Sequence, residues 1–172
     1  MVAPLPVSPV SVSLVPITAA NWRRALEVRV QPEKLHWVSS REPVALMLLA
    51  KSYVRPDGQV WHPLIIASGD DVVGVVAVGV DADDGPSAPQ TAWIHHFLID
   101  ERSQGAGYGR AAIREIGRWL RAEHPTVTLV GLNVLPENTA ALGLYTANGF
   151  GVVAETSDGQ LITIATVADL AG

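Results

Sequence analysis

Between Asp100 and Arg110 the chain reads Asp-Glu-Arg-Ser-Gln-Gly-Ala-Gly-Tyr-Gly-Arg, with glycines at 105, 107 and 109 directly ahead of a long amphipathic run. Glycine lets the backbone turn tightly and expose successive N–H groups. The first N–H groups of a helix have no partner inside it, and the helix dipole adds partial positive charge there. A phosphate or pyrophosphate placed at that end satisfies both. Gln104, Gly105, Ala106, Gly107, Tyr108, Gly109 and Arg110 are therefore candidate anion-binding residues, Arg110 adding a full charge. Without a ligand the same stretch would be an ordinary glycine-rich loop. A Walker loop requires Gly-Lys-Ser/Thr, whereas Gly109 is followed by Arg110-Ala111. A dinucleotide fingerprint requires G-x-G-x-x-G and an acid ending the next strand. Here the spacing is G-x-G-x-G, and Val127 to Leu135 holds no acid. Just upstream lie His95 and His96, whose side chains titrate near neutrality. Adjacent strand residues point to opposite faces, so at most one of them is predicted to face a cleft, and the two should not chelate a metal together. No metal site is predicted.

The elements that would carry these residues follow from hydrophobic period and turn chemistry. Pro4, Pro6 and Pro9 mark residues 1–9 as an extended tail, and 10–172 reads as one domain. Val10 to Val15 alternates as a strand, and Thr18 or Asn21 can start a helix through about Val28. Residues 31–41 show no clean period. Pro43 suits the first turn of a helix running to Tyr53. His62 to Ser68 and Val72 to Val80 read as a hairpin, Asp81 to Gln90 as a loop, and Thr91 to Asp100 as a strand. Tyr108 to His124 is a long helix with Ala112, Ile113, Ile116, Trp119 and Leu120 on one face. Val127 to Leu135 is a strand and Asn138 to Asn148 a helix. Phe150 to Glu155 and Leu161 to Val167 close the chain as a hairpin. This order predicts an α/β (mixed α+β) fold, a central, mostly antiparallel sheet of about seven strands flanked by about four helices.

The chain has 172 residues, 48% apolar and 17% charged, which suits a single globular core. Its net charge of -5 disfavours a general nucleic-acid binder, which needs a basic face. Cysteine is absent, which excludes disulfides, thiolate nucleophiles and Cys-ligated zinc. No secretory signal pattern or apolar run of membrane-spanning length is present, so the cytoplasm is the expected location and no membrane partner is expected.

Gln104, Gly107 and Gly109 meet the pattern Gln-x-x-Gly-x-Gly, and Asn138 to Phe150 meets N-x-x-A-x-x-x-Y-x-x-x-G-F. Together, in this order and with a helix and a strand between, they resemble the two signatures of the GNAT N-acetyltransferases over roughly residues 10 to 168. The resemblance implies acetyl-CoA as cosubstrate, its pyrophosphate on the 104–110 turn and its pantetheine arm along the backbone of Phe97, Leu98 and Ile99. Asn138 then contacts the coenzyme, caps its helix, or does both. Tyr145 is implied as the acid that protonates the departing thiolate. The acceptor amine must lose a proton to attack. Relatives often use a strand glutamate, but this strand has no carboxylate before Asp100, so His95 is the candidate base, with His96, Glu33 and Trp37 as acceptor contacts. Glu27, Glu33, Glu42, Asp81, Asp83 and Asp84 would attract a small polycation, with Trp37 and Trp61 adding cation–π contacts. The stretch Val-Pro-Ile followed by Asn21-Trp22 is similar to bacterial spermine/spermidine acetyltransferases. The expected activity is acetylation of a small primary amine, a polyamine among the candidates. A protein N-terminus, a lysine or an aminoglycoside are alternative acceptors, and a non-catalytic acyl-CoA-binding module is a rival from another class. A homodimer is expected only because the family often forms one.

Overall fold

A computed structural model describes residues 10–39, 41–56, 58–81 and 90–170. The proposed tail at 1–9, Asp57, Asp83 and Asp84 lie outside these. Seven strands form one sheet in the order β1-β2-β3-β4-β5-β7-β6. They are β1 (Ser13–Pro16), β2 (Val60–Ser68), β3 (Asp71–Val80), β4 (Gln90–Ile99), β5 (Val127–Val134), β6 (Gly151–Glu155) and β7 (Leu161–Thr166). Every pairing is antiparallel except that of β4 with β5. The mixed, mostly antiparallel seven-stranded sheet matches the expectation from sequence.

β3 is buried on both faces, and its neighbouring side chains serve two cores. Val75 and Ala77 join Trp61, Ile65 and Leu98 beneath α1 (Trp22–Ala25) and α2 (Val44–Val54). Val76 and Val78 join Leu64, Ile66 and Ile94 beneath α3 (Tyr108–Glu123). The amphipathic face of α3 buries Ala112, Ile113, Ile116 and Leu120 there, as its 3.6-residue spacing requires. Trp119 is only half-buried and packs on His62 and His124. The helix α4 (Thr139–Thr146) adds Ala141, Leu142 and Leu144 to the same cluster.

β1 starts at Ser13 rather than Val10, and three further elements differ from the sequence reading. The first helix is one turn, because Glu27 and Val28 donate to the carbonyls three residues back and tighten the chain out of α geometry. Pro32–Trp37 forms a 3-10 helix where no 3.6 period was visible. The closing strand stops at Thr166, whose hydroxyl accepts from Asp169 N at 3.2 Å and starts α5 (Val167–Leu170).

One buried carboxylate ties the two halves of the chain together. Asp100, 1% exposed, accepts from Arg29 N at 3.0 Å, Arg102 N at 3.0 Å and Arg102 Nε at 2.7 Å. Glu101 N donates in turn to Arg29 O at 2.9 Å. The end of β4 is thereby pinned to the segment leading into the 3-10 helix. Burial alone would raise the pKa of Asp100. The donors from Arg102 and the backbone of Arg29 outweigh burial and hold the carboxyl below its ordinary value of 3.8. The Arg102 side chain is 72% exposed, so solvent screening discounts what its ion pair is worth to stability. Asp100→Ala leaves these donors unpaired and should cost about 2–4 kcal/mol, read as a lower urea midpoint. Because the folded value is depressed, the contribution is full above the unfolded value near 3.8 and fades as pH falls through the folded one.

Candidate active site

Parallel pairing between β4 and β5 covers only Gln90 to Trp93 against Val127 to Gly131. Beyond that point β4 stays on β3 as far as Ile99, while β5 stays on β7 as far as Val134. The two strands part, and a cleft of about 440 Å³ opens between them. Asp100 N donates to Val73 O on the β3 side. Alternation then turns the backbone N–H and C=O of Phe97 and Ile99 toward the cleft, and those of Leu98 toward β3. The Ile99 carbonyl accepts from Gln104 Nε2 at 3.0 Å, which ties the glycine turn to the strand end.

Gly105 and Gly107 have φ of 79° and 88°, a region costly for any residue with a Cβ. Gly107 is the N-cap of α3, and the first bond back into the helix runs from Ala111 N to Gly107 O. The amides of Tyr108, Gly109 and Arg110 therefore have no acceptor inside the helix. Gly105, Gly107, Tyr108, Gly109 and Arg110 line the cleft together with Gln104, whereas Ala106 does not. Asn138 caps α4 by accepting from Ala141 N at 3.2 Å and also lines the cleft.

Tyr145 lines the cleft from α4, 8% exposed, with its ring centroid 6.4 Å from Phe97 and 5.8 Å from Phe150. Burial pushes the phenol far above its ordinary value, so the hydroxyl keeps its proton across the neutral range.

The two histidines do not obey simple strand parity. Val75 pairs with Leu98 and Ala77 with His95, so His96 and Phe97 together oppose Val76. This is a β-bulge with His96 at φ 51°, and it resets the alternation. Ala92 and Ile94 share one face with Phe97 and Ile99, and both imidazoles lie on the Trp61 side, at ring distances of 4.1 and 6.2 Å. His95, the expected base, does not line the cleft. It stacks on Trp61, and its Nε2 lies 3.3 Å from Gln59 Oε1, the amide oxygen left after Gln59 Nε2 donates to Asp81. His96 lines the cleft instead. Its Nδ1 is 2.6 Å from Val38 O, and a carbonyl can only accept, so that nitrogen carries the proton. Nε2 then holds the lone pair and accepts from Lys51 Nζ at 3.0 Å, with the ammonium 5.1 Å from the Trp61 ring centroid. Burial lowers the pKa of His96, the Val38 bond opposes this, and Lys51 lowers it further.

Trp37 reaches the cleft from the 3-10 helix as expected, whereas Glu33 is exposed and does not line it. Glu27 and Glu42 are likewise exposed and outside the lining. Lys34, Lys51, Val38 and Asp100 had no signal in the sequence, since their roles come from contacts across the fold. Among the described residues, no cluster of three acidic or imidazole groups could hold a metal, and no helix is long and apolar enough to cross a membrane.

A forked sheet, a glycine turn leading into a helix N-terminus and a buried phenol therefore line one cleft. The family profile described as Acetyltransferase (GNAT) family matches residues 22–150, and the chain belongs to this family. It is 25% identical over 141 residues to the spermine/spermidine N(1)-acetyltransferase of Bacillus subtilis strain 168, covering 81% of this chain and 88% of that one. Its fold resembles spermidine N-acetyltransferase from Vibrio cholerae in complex with CoA and spermine, with TM-score 0.70, 13% identity, and 94% and 99% of the two chains covered. It also resembles an aminoglycoside acetyltransferase in complex with coenzyme A, with TM-score 0.72, 20% identity, and 92% and 96% covered.

The ring geometry sets the acid–base behaviour of His96. In nitrogen NMR its neutral form should show the proton on Nδ1, with a titration midpoint below the ordinary 6.5. Lys51→Met removes a nearby positive charge and should move that midpoint upward; an unchanged midpoint would mean the contact is absent in solution.

Proposed function

We propose that the protein transfers the acetyl group of acetyl-CoA to the primary amine of a small acceptor, by direct attack in a ternary complex. The observation that carries this reading is the fork between β4 and β5, with the unpaired amides of the 104–110 turn at its mouth and Tyr145 lining its wall. Coenzyme A is a diphosphate on a long, uncharged pantetheine arm ending in sulfur. The diphosphate suits the turn and the N-terminus of α3, with Arg110 beside it. The arm suits the gap along Phe97 and Ile99, where β5 pairs with neither residue and only the Ile99 carbonyl is engaged, by Gln104, so the remaining backbone groups can bond its amides. An N–H from this part of β4 would polarise the thioester carbonyl.

For the chemistry, a neutral amine attacks the carbonyl carbon, the C–S bond breaks, and the sulfur needs a proton. Tyr145 supplies it. The dry surroundings that raise the phenol's pKa also disfavour a bare thiolate, so the two remain matched. The proton on the incoming ammonium leaves through Nε2 of His96, the nitrogen whose lone pair meets Lys51 Nζ. The acceptor's ammonium takes over that position on docking.

The relatives' names include polyamine and aminoglycoside acetyltransferases, which favours an amine acceptor. The polyamine reading rests on the relatives alone, because no carboxylate lines the described cleft to hold a second ammonium.

Tyr145→Phe should lower kcat about 10²- to 10⁴-fold with little change in the KM for acetyl-CoA. Equal turnover by that variant would remove the acid from the mechanism. For His96, the pH profile is the readout. In the native protein kcat/KM for the amine should rise below pH 6.5 and then level off. In His96→Gln it should instead keep climbing toward the amine's own pKa, about 10 for an alkylamine.

A further inference from the structure

Lys34 and Arg110 are the ionised side chains lining the cleft among the described residues, and no aspartate or glutamate joins them. They serve different ends. Arg110 stands at the N-terminus of α3, at the anion-binding turn. Lys34 stands on the 3-10 helix, which has three residues per turn, so Lys34 and Trp37 lie one above the other on one face. Val38, the next residue, holds His96 through its carbonyl. Lys34 is thus about 8 Å of chain rise from Val38, the residue that meets His96. Its ammonium makes no hydrogen bond or ion pair with any described residue. The nearest acidic residue in sequence, Glu33, is exposed and turned away from the lining.

An unpaired ammonium in a half-buried wall favours an anion in the cavity and opposes a second cation. The coenzyme has no anion to offer here. Its phosphates belong with the 104–110 turn, and the arm between phosphate and sulfur is uncharged. The anion must come from the acceptor. We infer that the acceptor is an amine that also carries an anionic group, a carboxylate or a phosphate a few bonds from its nitrogen, and that Lys34 selects it. The inference rests on the acetyl-transfer reading and names the substrate class of that site. The acceptor's amine points at His96, its anion pairs with Lys34, and Trp37 covers the chain between. A polyamine would instead bring its second ammonium against Lys34.

The test uses the full chain, acetyl-CoA and release of free thiol. Acceptors are α- and ω-amino carboxylic acids, an aminoalkyl phosphate, uncharged amines of matching length, and spermidine. The anion-bearing amines should show the highest kcat/KM, and comparing the carboxylate and phosphate arms identifies which anion is used. Lys34→Gln should cut kcat/KM for the best of them about 10- to 100-fold, the worth of a charge-assisted hydrogen bond. It should leave the uncharged amines and the KM for acetyl-CoA unchanged. Lys34→Glu should shift preference toward diamines, which a merely structural role for Lys34 would not do. The inference is overturned if spermidine or the uncharged amines match the anionic ones, or if Lys34→Gln raises only the KM for acetyl-CoA. Thiol release with no amine at all would remove the acetyl-transfer reading together with this one, whereas turnover confined to polyamines would remove this one alone.

Discussion

Everything in the site depends on the point where β4 and β5 stop pairing. A backbone N–H or C=O buried without a partner costs as much as a lost hydrogen bond, so strands rarely part inside a sheet. Here the last paired residues are Trp93 and Gly131. The indole lies directly over the glycine: a Cβ at 131 would stand 2.8 Å from Trp93 Cζ3 and 2.8 Å from Ile164 Cδ1. The ring therefore fills the crotch of the fork, and only glycine leaves it room. Beyond the fork, β4 keeps its ladder with β3 and β5 keeps its ladder with β7, so each strand is anchored by its outer neighbour. The inner backbone groups are left to bond whatever occupies the gap.

The bulge at His96 is the second half of the same construction. A non-glycine residue at positive φ costs of order 1–3 kcal/mol and persists only where its surroundings hold it there. His96 is held at both ring nitrogens, by the Val38 carbonyl and by Lys51. The extra residue resets the strand's alternation, so that Phe97 and Ile99 turn to the α3 side while Leu98 packs with the α1 and α2 core. The bulge thus decides which backbone groups face the gap, and it brings an imidazole to its wall. Asp100 then fixes the end of the strand against Arg29, and the 3-10 helix that carries Lys34 and Trp37, with Val38 just past its end, follows from that anchor.

Much of this was legible in the sequence where a local rule governs. The order of strands and helices follows from periodicity, and the turn at 104–110 from its glycines. Tyr145 is marked by the resemblance of Asn138 to Phe150 to a family signature, and its spacing of two helical turns from Asn138 puts both on one face of α4. What was not legible is long-range or breaks a local rule. The choice of His95 over His96 assumed an unbroken alternation, and a one-residue bulge at a histidine carries no compositional mark. The 3-10 helix escaped because six residues at three per turn, mixing Pro32, Lys34 and Trp37, show no 3.6 period. The bonds from Asp100 to Arg29 and from Lys51 to His96 span 71 and 45 positions, and no motif encodes them. The acidic residues read as acceptor contacts were chosen by charge alone, and charge does not say which way a side chain faces.

The protonation states at the two ends of the reaction follow from one cause. Burial disfavours whichever form is charged, so it raises the phenol of Tyr145 and lowers the imidazole of His96. The same dry wall therefore offers a proton on one residue and a lone pair on the other, with no net charge on either. This matters because acetylation takes two protons from an ammonium and returns only one to sulfur. One must leave the site in each turnover, and a neutral imidazole can carry it away without an anion being buried first. A carboxylate in that position would serve a neutral amine less well, since it would hold the ammonium as an ion pair and resist its deprotonation. Among the side chains that line the cleft, fixed charge is confined to Arg110 and Lys34, and the Lys51 ammonium meets the imidazole from the Trp61 side.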